Sequence, residues 1–169
     1  ANGAGSINVE NPITGLFPFR DSLIIFCEER IFKLVGNSIA DFQLLPVSRN
    51  VGCMNGFTIQ EFAGDVVFLA RDGLRTIAGT ERIGDVELGS ISTAVHQLFS
   101  AYSNISEFDS LVVPDKTQYR IFFCDTDART KARTKGVICH RTEQGYEFSE
   151  TLGIQPSCTD HINDDGVVH

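Results

Sequence analysis

Residues 64–79, GDVVFLARDGLRTIAG, hold the hairpin whose reading decides the fold. Val66, Phe68 and Ala70 alternate with Val67, Leu69 and Arg71, the period of two that a pleated strand imposes. Asp72-Gly73 then reads as a two-residue type I′ turn, in which both central residues need positive φ. Leu74 to Ala78 runs back as the second strand. The first strand is apolar on both faces. The hairpin is therefore expected in a packed sheet, not on the rim of one.

The same pattern occurs upstream in 17–36, FPFRDSLIIFCEERIFKLVG. Leu23 to Cys27 is an apolar strand, Glu28-Glu29 a turn, and Ile31 to Val35 the return strand. At a constant offset of 43 residues, Phe19 falls on Phe62, Leu23 on Val66, Ile24 on Val67, Ile25 on Phe68 and Phe26 on Leu69. Ile31 falls on Leu74, Leu34 on Ile77, Val35 on Ala78 and Gly36 on Gly79. Arg30 opposite Gly73 and Phe32 opposite Arg75 break the match. A period in the forties with two to four short strands per unit is the signature of a β-propeller blade. The plainer alternative is two sandwich hairpins that resemble one another by chance.

The remaining chain fits an all-β, propeller-like organisation with approximate blades at 17–46, 57–89 and 107–151. Phe42 to Leu45 is an outer strand stopped by Pro46, and Phe57 to Phe62 leads into the central hairpin. Ile83 to Leu88 reads as the next outer strand. Ile91, Val95, Leu98, Phe99 and Tyr102 are spaced three and four apart, which predicts a short connecting helix over 91–102, capped by Ser90 or Ser92. In the third unit Ser110 to Val113, Tyr119 to Cys124, Gly136 to Arg141 and Tyr146 to Ser149 are strands. Pro114 to Thr117 and Glu143-Gln144-Gly145 are its turns. Residues 162–169 read as the start of a further blade, so the chain is expected to be a segment of one larger domain.

Composition narrows the function classes. The 169 residues carry 22 Asp and Glu against 14 Lys and Arg, a net charge of −8. Phosphate contacts need clustered cations, so this balance disfavours a chain-wide nucleic-acid binder. The five cysteines are odd in number and widely spaced, unlike a secreted disulfide scaffold, and are expected as reduced thiols in or near the core. No apolar run reaches membrane-spanning length.

The chemistry-bearing candidates are few. Arg129, Lys131, Arg133 and Lys135 alternate in a loop with no acid among them, a candidate contact with an acidic partner or with DNA. The plainer reading is a solvated hairpin tip. Cys158 and His161, with Cys139-His140 and Cys124, lack the paired spacing of a zinc site. Asp125-Thr126-Asp127 and the 160–165 acids lack the EF-hand order and fit turn chemistry. There is no G-x-S-x-G, and His96, His140, His161 and His169 have no Ser or Cys partner at motif spacing. No metal, cofactor or catalytic residue is expected. The thirteen Phe read as core residues, and there is no Trp on which to stack a sugar.

The strings FRDSLIIFCEERIFKLVGN, VGCMNGFTIQEFAGDVVFLARDGLRTIAGTERIGDVELGSIS and YRIFFC together resemble a class of tailed-phage virion proteins. These are β-propeller proteins of the tail or head-to-tail region, such as nozzle-type proteins of short-tailed phages. The shared pattern is an apolar strand, a turn, a strand ending in Gly and a later D-G-L-R turn, here Asp72 to Arg75. WD and kelch signatures are absent. The resemblance implies a non-enzymatic virion component, made in the host cytoplasm. It would form a ring of its own copies, docked to other tail or adaptor proteins, with transient DNA contact at the basic loop. A receptor- or glycan-binding β-domain of a fibre or adhesin is the competing expectation.

Overall fold

The computed structural model describes residues 6–38, 40–78, 91, 108–123 and 135–154. Among the described residues, eleven strands make three antiparallel sheets. The first sheet is a meander of β1 (Ile13–Phe19), β2 (Ser22–Cys27), β3 (Ile31–Val35) and β4 (Gln43–Ser48). The middle sheet contains β5 (Gln60–Phe62), β6 (Asp65–Ala70) and β7 (Gly73–Thr76). The third is a meander of β8 (Phe108–Val113), β9 (Gln118–Phe123), β10 (Lys135–Thr142) and β11 (Gly145–Leu152).

The sheets stack face to face in chain order, and the phase of β6 explains how. Val66, Phe68 and Ala70 pack with Ile24, Phe26 and Ile31 of the first sheet. Val67 and Leu69, on the opposite face, pack with Tyr119, Ile121 and Phe123 of the third. A strand covered on both faces has no polar side to offer water, which is why its sequence is apolar throughout. The 43-residue offset carries into three dimensions. Ile24, Phe26 and Ile31 face the following sheet, as do their equivalents Val67, Leu69 and Leu74. Leu23, Ile25 and Leu34 lie on the opposite face of the first sheet, matching Val66, Phe68 and Ile77. In the third sheet Tyr119, Ile121 and Phe123 take the inward role of Val66, Phe68 and Ala70.

Four local expectations are corrected. The turn after β6 is Arg71-Asp72, with Ala70 opposite Gly73. Neither turn residue has positive φ; Gly73 alone does, at +120°. The hairpin with two successive positive φ values joins β5 to β6, at Ala63 (+54°) and Gly64 (+78°). A type I′ turn prefers Asn or Gly at that first position, because a Cβ in the left-handed region crowds the following carbonyl. Ala63→Asn should therefore raise the unfolding free energy by about 0.5–1 kcal/mol, read from the urea midpoint; an unchanged or lower midpoint would contradict the turn assignment.

Pro46 does not stop β4. The strand runs on to Ser48, with Pro46 opposite Phe32. The lost N–H is tolerated because β4 lies at the edge of its sheet among the described residues, with no further strand there to pair with it. Phe57 and Thr58 are not in a strand; Gly56–Thr58 is a 3-10 turn whose Asn55 side chain accepts from the Phe57 N–H. The return strand β7 ends at Thr76, before the expected Ala78. The expected helix over 91–102 is described only at Ile91, whose N–H donates to the Leu74 carbonyl. The expected strands at 83–88 and 162–169 lie outside the described residues.

Candidate functional site

Residues 52–59 tie the three sheets together. Cys53 N–H donates to the Cys27 carbonyl of the first sheet at 2.9 Å, and Met54 N–H to the Leu69 carbonyl of the middle sheet at 2.8 Å. The buried Tyr119 hydroxyl donates to the Thr58 carbonyl at 2.9 Å, and Ser110 Oγ to the Phe57 carbonyl at 2.6 Å, both from the third sheet. Thr58 Oγ1 donates to the Asn55 carbonyl and accepts from the Leu69 N–H. Buried backbone polar groups must be paired, and this short segment satisfies several at once.

Two surface features arise from this arrangement. The first is Phe57, 73% exposed although its N–H and its carbonyl are both held. It sits beside a shallow hollow with Thr14, Gly15, Met54 and Asn55. The Gly15 and Gly56 backbones meet there; a Cβ on Gly56 would stand 2.3 Å from the Thr14 carbonyl oxygen.

The second is a cavity of about 410 Å³ between the β2–β3 turn and the β6–β7 turn. Its wall includes Arg49, Arg71 and Arg75 as well as Glu28, Glu29 and Asp72. Arg71 Nη2 stands 3.4 Å from Glu29 Oε1, with both side chains mostly in water, so that pair contributes little. Arg75 differs. Its side chain is 4% exposed, and its Nε and Nη2 donate to the two Asp72 carboxylate oxygens at 2.9 and 2.5 Å. Its Nη1 is buried and has no hydrogen-bond partner among the described residues. A buried donor left unpaired costs about 1–3 kcal/mol. Position 75 is also where the repeat departs from its apolar pattern, Phe32 being the equivalent. That departure was the sequence signal for the site; the cavity itself comes from elements far apart in the chain.

Three cysteines, Cys27, Cys53 and Cys139, are buried and free, as expected for core thiols. Burial raises all three thiols, Cys139 to about 12. Burial also pushes the Tyr119 hydroxyl far above its ordinary range. Such thiols are poor nucleophiles, because the thiolate is the reactive form.

Of the basic loop, Arg129, Lys131 and Arg133 lie outside the described residues, and Lys135 opens β10 opposite Leu152. Cys124, His96, Cys158, His161 and His169 also lie outside them. Cys139 is buried against the middle sheet, whereas its neighbour His140 is exposed. Among the described residues no three His, Cys, Asp or Glu side chains form a metal-binding group. Nor is any described helix long and apolar enough to cross a membrane. Two Phe expected in the core, Phe42 and Phe57, are exposed.

No protein-family model and no curated protein matches the chain.

Proposed function

We propose that this chain is a non-enzymatic structural part of a bacteriophage tail or head-to-tail region, one stretch of a β-propeller that contacts further copies of itself around the DNA channel. One observation supports the reading above others: the three sheets stack serially, and repeat-equivalent residues present the same faces to their neighbours. Serial stacking of short antiparallel meanders is how propeller blades pack. A packed stack with staples between sheets holds loops at fixed positions, which suits a component that transmits force and performs no chemistry. Its partners are other copies in a ring and adjoining tail or adaptor proteins, with DNA touched only transiently. Native mass measurement on purified particles tests this. The expected result is the polypeptide present in a fixed multiple per particle. A protein that remains a free monomer and is absent from particles would overturn it.

A second reading, a receptor- or glycan-binding β-domain, is favoured by exposed Phe57 on its pinned turn. Glycan-array binding that disappears in Phe57→Ala would select this reading over the first.

A further inference from the structure

The outer face of the first sheet is apolar where a solvated face would be polar. Strand pairing aligns Pro18, Leu23, Leu34 and Leu44 in one cross-strand row. It aligns Leu16, Ile25, Phe32 and Pro46 in the next. Neither row contains a charged or hydrogen-bonding side chain. An antiparallel sheet with one face in water presents polar residues there, and this face does not. Val9 covers the end at Ile25 and Cys27, which are buried. Leu23, Phe32, Leu34 and Leu44 are half-buried, and Leu16 is 57% exposed. A contiguous apolar surface of this kind marks a contact site.

The repeat indicates what meets this face. The equivalent face of the middle sheet, at Val66, Phe68 and Ile77, is covered by an antiparallel sheet through Ile24, Phe26 and Ile31. The occupant that fits the outer face of the first sheet is another such sheet. The far face of the third sheet is not free to supply it, because Leu111, Val113 and Phe122 are already buried. Association by the sheet edges is blunted too. Among the described residues β1 and β4 are the edge strands; Pro46 removes an N–H from β4, and β1 carries Pro18 and a bulge between Ile13 and Gly15. We propose that two copies of this chain pair by the outer faces of their first sheets, as a two-fold sandwich with the sheets about 10 Å apart. Each copy supplies the sheet that the other lacks. A charge-free face also lets two chains of net charge −8 meet without like charges in contact. The inference is independent of the assembly reading above: the pair forms in solution from this chain alone, whereas that reading stands or falls on presence in particles.

The test is sedimentation equilibrium of the whole chain. Monomer should convert to dimer between about 1 and about 100 μM, as a Kd of about 10 μM requires. Raising sodium chloride from about 0.05 to about 0.5 M should tighten the dimer, because screening weakens repulsion between acidic chains and leaves the apolar contact in place. Leu16→Asp and Leu44→Asp, on the two edge strands of the face, should each weaken the dimer by about ten-fold or more, since each puts an unpaired carboxylate into the contact. Leu45→Asp is the control: Leu45 is the next residue of β4, on the opposite face, and is 44% exposed. It should leave the dimer unchanged. If Leu44→Asp does not fold, Leu16→Asp at its exposed position decides alone. A monomer throughout the concentration range overturns the proposal. So does a dimer that salt dissolves, that Leu16→Asp leaves intact, or that Leu45→Asp disrupts equally.

Discussion

Phe68→Ala should cost about 3–5 kcal/mol of unfolding free energy, a large share of what a domain of this size possesses. Phe68 is fully buried on β6, facing the first sheet, with its ring centroid 5.1 Å from that of Phe26. The neighbouring backbone belongs to two sheets hydrogen-bonded within themselves, so it cannot collapse into the vacated space. The cost therefore includes both lost transfer energy and a cavity. The control is the same deletion at Phe57, which is 73% exposed and should change stability by less than about 0.5 kcal/mol. Urea unfolding of both variants measures the contrast. Similar small losses at the two sites would mean that the first and middle sheets are not packed as described.

Raising the pH above about 9 should destabilise the protein steeply, and the sign follows from burial. The thiols of Cys27, Cys53 and Cys139 and the hydroxyl of Tyr119 all titrate higher in the folded state than when exposed. Below the unfolded values, both states hold these protons and stability is unaffected. Above them the unfolded chain loses its protons first, and stability falls by about 1.4 kcal/mol per pH unit for each such group. For Cys139 the window runs from its ordinary value of 9.0 to about 12, which amounts to roughly 4 kcal/mol at its upper end. Urea midpoints at pH 8, 10 and 11 should fall progressively. Cys139→Val, which removes one titrating group and keeps an apolar side chain, should make the decline shallower. A flat midpoint across this range would contradict burial of the thiols.

Asp41 acts at the other end of the scale. Hydrogen bonds from Ser38, and from the Asn37 backbone, lower its carboxyl below the ordinary value. Its folded-state preference is present above the unfolded pKa and is lost as pH falls. Because it lies in an exposed loop, its contribution is small beside that of the buried groups.

Strand identity was largely legible in the sequence. The reading for β3 coincides with the structure, and β2, β9 and β10 differ only by a residue or two at their ends. These strands alternate over five or more residues between clear turns, and period two is a local property. Pro46 and the Asp72-Gly73 turn were misplaced for one reason. Whether a proline interrupts a ladder depends on which neighbour its strand has, and a turn is set by the register of two strands together. The turn at Gly56–Thr58 was hidden similarly: Phe57 to Phe62 read as one strand until Phe57 and Thr58 are seen bonding to another sheet.

By itself the sequence determined the β class, the turn-bounded strands, the two-sided apolar character of β6 and the 43-residue repeat. All of these follow from which side chains alternate along a short stretch of backbone. The tertiary structure alone decided that the middle sheet is covered by both others, that residues 52–59 staple all three, and that Arg75 is buried, one of its nitrogens unpaired among the described residues. Those outcomes depend on contacts between residues tens of positions apart, such as Thr58 with Tyr119. Periodicity says which face of a strand is apolar; only packing says what that face meets.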